Sequence, residues 1–515
     1  MNHPLLILLI PALTVAVLFA VPATQAAWVK RISFVSTLSV LVLATILAFT
    51  FSTTNAPTEA VGGHVYKHVL SVPWVPALGL QFKVGVDGMS VAMVLLTAIT
   101  IFTGVCISFS VKERAKEFFI NLLALVTGVF GVFVALDLFF YYFFYELAVI
   151  PMFLLIGCWG SSTKTISRDY ASMKLVLMLT TGAVLALVGL LAIYVKLGTF
   201  DMVGIERLVQ AGRLSKSFQL AWFPPVFLGF AVLVPMWPLH SWSPSGHAAA
   251  PSAVSMLHAG VLMKIGAYGI LRVAVTSMPD AAAVYLPWVG VLCLFNIIYG
   301  GLVAMSQRDM KFVVGYSSSS HMGYVLLGIA TMNAIGMQGA VFMMFAHGVM
   351  TALAFGLIGF FYDQTHTRML DDLGGLMKRL PFVGTSFVVM AMASAGLPGL
   401  ANFVGELLVI IGAWKQGMYV AVVLAVWSIV ITAVYLLRTV KSAFLGEMPK
   451  RWERLEDART PFQRMPFVLL MSVLLVFGFW PQPLLAIIAQ GVDPIVSSLE
   501  RAQGLAPSGV QQGGR

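Results

Sequence analysis

The stretch MLHAGVLMKIGAYGILR, residues 256–272, contains a single lysine, Lys264, near the centre of a run that is otherwise almost entirely apolar. Apolar residues continue on both sides, and roughly 20 such residues are enough for a helix to cross a bilayer. A charge at that depth costs roughly 2.5–3.5 kcal/mol on insertion scales, so it needs a partner, water or a task. The stretch therefore predicts a membrane-spanning helix with a functional or paired lysine inside it.

The rest of the chain is also rich in apolar residues and poor in charged ones. Of its 515 residues, 59% are apolar and 10% are charged, whereas soluble proteins carry about 25% charged residues. These values predict an all-α polytopic membrane protein and exclude a soluble multidomain enzyme, a disordered chain and a single-span receptor. The net charge of +10 comes from short connections between the apolar runs rather than from a basic stripe, so we expect no nucleic-acid binding.

Apolar runs of spanning length occur fourteen times. The first run could be a signal peptide, but MNH before it has no Lys or Arg and a second run follows closely, which favours an uncleaved span. The predicted spans are 4–22, 32–52, 88–110, 118–136, 138–158, 172–195, 220–238, 252–273, 282–304, 312–331, 334–361, 382–413, 417–440 and 466–489.

Positive charge is unevenly distributed between the two sides of this layout. If the N-terminus is outside, the connections on the cytoplasmic side hold 20 of the 31 Lys and Arg, the opposite side holds 10, and Lys264 is inside a span. The positive-inside rule therefore predicts an inner membrane protein with both termini outside.

Two predicted spans are interrupted. VPMWPLHSWSPSGH (234–247) places three prolines at the end of the seventh span, and AGLPGLANF (395–403) places Gly, Pro and Gly inside the twelfth. Breaks at membrane depth line protein-buried or watery cavities. Because the breaks lie five spans apart, they predict two inverted five-helix repeats, spans 4–8 and 9–13, as in transporters.

Four regions follow from this layout. We predict N-terminal spans with an external hairpin at 1–110, the two repeats at 111–275 and 276–445, and a cytoplasmic connection, last span and tail at 446–515. The hairpin is expected from alternating stretches within 53–87, a surface helix from the charged segment 448–464, and disorder from the tail 506–515.

The sequence contains no motif typical of a metal site or a nucleotide site. The cysteines Cys106, Cys158 and Cys293 are far apart without a CxxC motif, and neither phosphate-binding glycine motif occurs. We therefore expect no metal and no cofactor in this chain.

Ionisable residues within spans are the candidates for function. A proton relay would use two acids, one base and two imidazoles. The candidates are Glu146, Lys264, His321, His347 and Glu406. The alternative is structural: the acids and histidines would only hydrogen-bond neighbouring helices, and the lysine would extend its amine toward the membrane surface.

Six stretches identify a family resemblance when taken together and in order. They are similar to the antiporter-like membrane subunits of bacterial respiratory complex I, most of all to the subunit M group, from about residue 85 to 445. The stretches are YYFFYELAVIPMFLLIGCWG, VPMWPLHSW, HAGVLMKIGAYGILR, SQRDMKFVVGYSSSSHMGYVLLGIA, FAHGVMTALAFG and GLPGLANFVGELLVIIGAW.

The resemblance implies a role for each candidate. Glu146 matches the glutamate on the input side of a proton channel, Lys264 the lysine of the central hydrophilic axis, and Glu406 the acid that ends the path; His321 and His347 match histidines along that axis. It implies no redox centre in this chain: flavin and iron–sulfur clusters would belong to other subunits of the complex. The implied partners are those subunits, including neighbouring antiporter-like chains.

One position departs from the family pattern. Leu233 stands where the resemblance implies a lysine that pairs with the glutamate at position 146, and the next stretch is altered to SPSGH (243–247). Either the proton route is rearranged, with His240 or Lys174 as accessory groups, or the subunit pumps poorly.

Three functions therefore remain open. The first is a proton-translocating subunit of a complex I-like NADH:quinone oxidoreductase. The second is a subunit of a related Na⁺/H⁺ antiporter or membrane-bound hydrogenase. The third is a non-pumping structural subunit.

Overall fold

The computed structural model describes residues 2–163 and 166–505, and most of them are helical. Eleven helices up to the middle of the chain are α1 (His3–Ala20), α2 (Ala26–Thr50), α3 (Gly88–Ile107), α4 (Ala115–Val134), α5 (Leu138–Trp159), α6 (Arg168–Leu197), α7 (Met202–Gln210), α8 (Lys216–Leu233), α9 (Trp242–Ala249), α10 (Ser252–Leu257) and α11 (Met263–Gly269). The later helices are α12 (Pro279–Ser306), α13 (Met310–Ala330), α14 (Ala334–Thr365), α15 (Pro381–Ser394), α16 (Ala401–Lys415), α17 (Tyr419–Phe444), α18 (Pro461–Phe479) and α19 (Gln482–Ala502).

Every predicted span coincides with a helix or a broken helix. Twelve helices within the described ranges are long and apolar enough to cross a membrane; one of them is the continuous helix Ser252–Val275, which contains α10 and α11. The other two spans are α13, in which the serine run 317–320 lowers the hydropathy, and the interrupted pair α15–α16. The all-helical membrane fold predicted from composition is therefore confirmed.

A three-stranded antiparallel sheet covers one end of the bundle. Its strands are β1 (Thr58–Val61), β2 (His64–Val75) and β3 (Leu80–Val86), in that order. The predicted hairpin corresponds to β2 and β3, and β1 adds a third strand. We call this end of the bundle the hairpin face and the opposite end, which carries Lys112, Arg308 and Arg451, the basic face.

Both ends of the described part of the chain lie at the hairpin face. The Asn2 amide donates a hydrogen bond to the His68 carbonyl at 2.8 Å. Near the other terminus, the Gln490 amide donates to the Ser52 hydroxyl at 3.1 Å. Two ends on one face require an even number of crossings, as fourteen spans provide.

The predicted surface helix at 448–464 was wrong. Only the short 3₁₀ turn Lys450–Trp452 forms there, and α18 begins at Pro461. The Asp457 carboxylate instead accepts backbone N–H groups of Phe382 and Val383, at 2.6 and 3.3 Å, at the start of α15. Capping another helix satisfies these donors, so the charged segment remains an extended connection.

The last predicted span is shorter than expected. α18 ends at Phe479, and α19 begins after Pro481 as a separate helix that packs on α3. α19 is amphipathic, with one apolar and one polar face, and the sequence analysis did not predict this helix. The tail 506–515, predicted to be disordered, lies outside the described residues.

The two five-helix units pack alike. α4 packs on α5 and α6 on α8 in the first unit; α12 packs on α13 and α14 on α16 in the second. Because each unit has an odd number of spans, the second begins at the opposite face from the first. Both units contain an interrupted helix, between α8 and α9 and between α15 and α16. The three boundaries between the four regions, at 110, 275 and 445, stay a prediction.

Asn296 on α12 bonds to the backbone exposed by the first break. Its side-chain oxygen accepts the Trp237 N–H at 2.5 Å, and its amide donates to the Pro235 carbonyl at 2.9 Å. A proline-rich break leaves helix donors and acceptors unpaired inside the membrane, so such a partner is required.

Candidate functional site

Lys264 lies at the centre of the bundle and is completely buried. π-helical turns, His258–Leu262 and Ile270–Val275, flank its helix on either side, and such turns often mark functional positions. The amine donates to the Ala259 carbonyl and lies 2.8 Å from Nδ1 of His347 on α14. The predicted lysine therefore has a titratable partner on another span.

His347 continues the contact toward α13 and α16. Its ring stacks on that of His321 with the centroids 5.2 Å apart. Nε2 of His321 lies 3.5 Å from Oε1 of Glu406, which is five residues beyond the start of α16. Lys264, His347, His321 and Glu406 thus form one row across four helices, which we call the titratable row.

The surroundings of His321 bear on where a proton can reside in the His321–Glu406 pair. Nδ1 of His321 lies 2.8 Å from the Ser317 carbonyl, and Nε2 lies 3.1 Å from the Ser394 carbonyl as well as near Glu406. Both ring nitrogens therefore face oxygen acceptors, whereas a neutral imidazole donates only one N–H. A second N–H on His321, or a proton on the Glu406 carboxyl, satisfies the geometry.

The break before α16 makes room for the Glu406 carboxyl. Gly396 has a φ of +70°, and a Cβ there would lie 2.5 Å from Oε2 of Glu406. Oε2 of Glu406 and Nε2 of His347 have no hydrogen-bond partner in the described part of the chain. Unpaired buried polar atoms are costly, and they fit groups that exchange protons better than purely structural ones.

Two further histidines lie close to the row and were missed by sequence reasoning. The rings of His247 on α9 and His258 in the first π turn are 4.0 Å apart, and both are fully buried. Nε2 of His247 lies 3.2 Å from the Ser243 hydroxyl. The signal was present, since both stand in quoted stretches and His258 precedes Lys264 by six residues.

A cavity of about 460 Å³ opens at the basic face and reaches Lys311 at the start of α13. Asp363 and His366 also line it. The Lys311 amine donates to the Ala250 carbonyl at 2.5 Å, and the Ser255 hydroxyl contacts the carbonyls of Ala250 and His247, at 3.2 and 3.1 Å. Polar groups therefore extend from this cavity to the backbone carbonyl of His247.

Glu146 lies outside the row. It is half-buried on α5, hydrogen-bonded to Tyr142 of the same helix, and its Oε1 has no partner within the described ranges. Among those residues, no hydrogen bond or ion pair joins it to Lys264 or to Glu406. Its proposed role on the input side remains a prediction.

The departure from the family pattern is at the end of α8. Leu233 is the last residue of that helix and is fully buried. Its carbonyl carbon would lie 2.9 Å from a Cβ built on Gly266, so the backbones of α8 and α11 approach closely beside Lys264. Leu233 thus belongs to the protein interior rather than to the lipid-facing surface.

The accessory candidates His240 and Lys174 do not join the row. His240 lies in the first break with its ring against Tyr299, 5.5 Å between centroids, and its Nδ1 has no partner among the described atoms. Lys174 is half-buried on α6, with its amine 5.6 Å from the Tyr170 ring centroid. Both remain accessory predictions. In the described part of the chain, no group of three or more His, Cys, Asp or Glu could hold a metal ion.

Comparison with known proteins identifies the family to which this architecture belongs. A family model described as "NADH:quinone oxidoreductase/Mrp antiporter, TM" matches residues 135–432, more than half of the chain. The chain belongs to this family. The matched region contains Glu146, Lys264, both row histidines and Glu406.

Relatives in this antiporter family carry a consistent description. NADH-quinone oxidoreductase subunit M of Pseudomonas aeruginosa is 37% identical over 82% of this chain and 84% of its own. Subunit M of Rickettsia typhi is 32% identical over 91% of this chain and 92% of its own. The recognition made from six stretches is therefore confirmed.

Solved structures agree on the fold. A chain of respiratory complex I from Thermus thermophilus superimposes with a TM-score of 0.84 at 26% identity, over 97% of this chain and 100% of that one. A chain of the Mrp complex from Dietzia sp. DQ12-45-1b also gives 0.84, at 22% identity over 98% of each chain, which shows a shared fold alone.

Proposed function

We propose that this chain is a proton-translocating membrane subunit of a complex I-like NADH:quinone oxidoreductase. The observation that carries the proposal is the titratable row, in which an amine, two imidazoles and a carboxyl from four helices make successive contacts inside an apolar bundle. Such a row can pass a proton by short steps, and it performs no electron transfer. Flavin and iron–sulfur chemistry would belong to other subunits of the same complex.

Each member of the row has a distinct task in this proposal. Lys264 takes and gives up a proton at the centre, because a buried amine can lose its charge whereas a guanidinium cannot. His347 and His321 relay, since each imidazole has one nitrogen to accept and one to donate. Glu406, beside the helix break, receives the proton at the far end of the row.

Proton uptake is proposed from the basic face. That face holds most of the basic connections and is therefore assigned to the cytoplasm, which places the hairpin face and both termini outside. The cavity at Lys311 leads from it toward His247 and His258, beside Lys264. Glu146, with Lys174 and His240 as accessory groups, is proposed as a separate input-side carboxyl.

Coupled pumping in Glu406→Gln tests the proposal. Gln keeps the shape of the side chain and cannot titrate, so complex-containing membrane vesicles should oxidise NADH but pump fewer protons per electron, by the whole share that this subunit contributes. The readout is the proton-to-electron ratio from a ΔpH-sensitive dye with NADH and a quinone. Glu453→Gln, an exposed acid on the basic face, is the matched control and should be unchanged.

A normal ratio in Glu406→Gln would contradict the proposal. It would favour the third alternative, a structural subunit that keeps the fold without pumping, for which Leu233 at the family's lysine position is the motivating observation. The same assay in sodium-free medium separates proton transport from sodium-dependent antiport.

A further inference from the structure

A second group of buried titratable side chains lies at the hairpin face, outside the titratable row. It joins the extramembrane sheet, α3, α7 and the end of the helix that carries Lys264. None of its members is more than 6% exposed. We call it the hairpin-face cluster; it contains His64, Tyr66, Asp87, Glu206, Tyr268 and Arg272.

Asp87 is the anchor of the cluster. Its carboxylate lies 2.5 Å from Nη2 of Arg272 and 2.9 Å from Nε2 of His64, and it accepts the Ser90 N–H at 2.9 Å as the N-cap of α3. Burial alone would raise the pKa of Asp87, but the Arg272 charge and the His64 hydrogen bond lower it well below the usual range. Asp87 is therefore a fixed negative charge.

His64 lies between two carboxylates. Nε2 faces Asp87, and Nδ1 lies 3.4 Å from Oε2 of Glu206, which also accepts the Tyr66 hydroxyl at 3.0 Å. The Tyr66 hydroxyl also lies 3.1 Å from Nδ1, and Nη1 of Arg272 lies 3.4 Å from Nε2. A neutral imidazole has one N–H and can donate to only one of the two carboxylates, whereas a protonated imidazole can donate to both.

Charge counting leads to the same conclusion. With neutral His64 the cluster has two carboxylates, Asp87 and Glu206, and one guanidinium, Arg272, which is a buried net charge of −1. One proton on His64 brings the sum to zero, and buried charge is tolerated when it is fully paired. The remaining groups that face these side chains, Tyr66 and Tyr268, are neutral hydroxyls bonded to Arg272, each at 3.1 Å.

We propose that the hairpin-face cluster is a proton-binding site that takes up one proton on His64, and that this proton holds the sheet against the Lys264 helix. Lys264, Tyr268 and Arg272 are four residues apart, on one side of that helix. Among the described residues, no side-chain hydrogen bond connects the cluster to the titratable row. The proposal is therefore independent of the function assigned to the row.

The direction of the pH effect follows from the surroundings of His64. Burial lowers the pKa of the imidazole, but the hydrogen bonds and charges of Asp87 and Glu206 outweigh it and raise the pKa above its ordinary value of 6.5. A pKa raised in the folded state means that the stabilising contact is complete below that ordinary value and is lost as pH rises through the raised one. The sheet should therefore loosen on the alkaline side.

Hydrogen–deuterium exchange of the intact complex in lipid nanodiscs tests this. Exchange in peptides covering residues 64–75 and 266–275, corrected for intrinsic rates, should accelerate at least about threefold as pH rises from about 6 to about 9. In His64→Gln the corrected exchange should lose this pH step. His68→Asn, on the same strand, is the control and should keep it, because burial and nearby positive charges lower the pKa of His68 to about 4.

Two outcomes would overturn the proposal: exchange in the native complex without a step, or a step that persists in His64→Gln. If His64→Gln does not assemble, Glu206→Gln decides instead. Removing one carboxylate weakens the preference of His64 for a proton, so the step should move to lower pH; an unchanged step position would overturn the proposal.

Discussion

The glutamates within the two halves of the membrane bundle have different surroundings. In the second half, Glu406 lies beside a helix break, 3.5 Å from His321, and the contacts continue through His347 to Lys264. In the first half, Glu146 is half-buried and, among the described residues, bonded within its own helix, and Leu233 stands where the sequence resemblance implies a lysine. The related packing of the two units therefore does not produce related electrostatics.

This difference shows that the repeated fold determines how the helices pack, whereas single residues determine which titratable groups come into contact. Both units contain a broken helix, and in each a titratable residue just beyond the break contacts a buried imidazole: His247 contacts His258, and Glu406 contacts His321. Buried charges persist when they are paired or have work to do. The row joins the acid of the second unit to Lys264 of the first unit, whereas Glu146 of the first unit has no contact with the row among the described residues.

The largest expected effect within this comparison comes from Lys264→Arg. Arginine keeps the charge but cannot release it, and its planar group does not fit the space of a fully buried amine. Coupled NADH oxidation should fall at least about tenfold, or about 1.4 kcal/mol. Lys196→Arg, on an exposed lysine in the last turn of α6, is the control and should remain near native rates. Equal losses in both variants would show that the position of Lys264 in the titratable row has no special role.

A smaller effect is expected at Gly396. Gly396→Ala adds strain at a φ of +70° and places a methyl 2.5 Å from Oε2 of Glu406. Gly417→Ala is matched in strain, with a φ of +77° and nothing within 4 Å of the new Cβ. The rate of coupled NADH oxidation should fall about threefold in the first variant only, since a barrier raised by about 0.6 kcal/mol at the carboxyl corresponds to that factor. Equal rates in both variants would show that displacement of Glu406 has no consequence.

The smallest expected effect is the coupling energy between positions 233 and 146. Leu233→Lys puts a cation into the apolar interior, which costs roughly 2.5–3.5 kcal/mol unless it finds a partner. If Glu146 is that partner, the double variant Leu233→Lys, Glu146→Gln should assemble less well than Leu233→Lys alone, with a coupling of about 0.5 kcal/mol or more. The amount of complex in membranes, compared across the four combinations, gives the coupling. Additive losses would place the two positions out of contact.

Membrane position was predictable because it depends on local composition. Runs of about 20 apolar residues cross a bilayer whatever they pack against, so the fourteen spans were recovered without knowledge of any contact. The two breaks were also local, because proline and glycine interrupt helices wherever they occur. The error at 448–464 has the opposite cause: Asp457 accepts the N–H of Phe382, 75 residues earlier, at the start of α15, and no local pattern shows that contact.

The sequence by itself determined that this is a many-span membrane protein, where its helices break, and that Glu146, Lys264, His321, His347 and Glu406 lie within its spans, because each of these follows from composition over one turn or one span. Only the tertiary structure decided which of those residues meet. Lys264 and His347 are 83 positions apart and His64 and Arg272 are 208 apart, yet each pair lies within 3.4 Å. Such contacts depend on how the spans pack together, and no periodicity within a single span records its neighbours. For the same reason His247, His258 and the hairpin-face cluster became visible only once the helices were assembled.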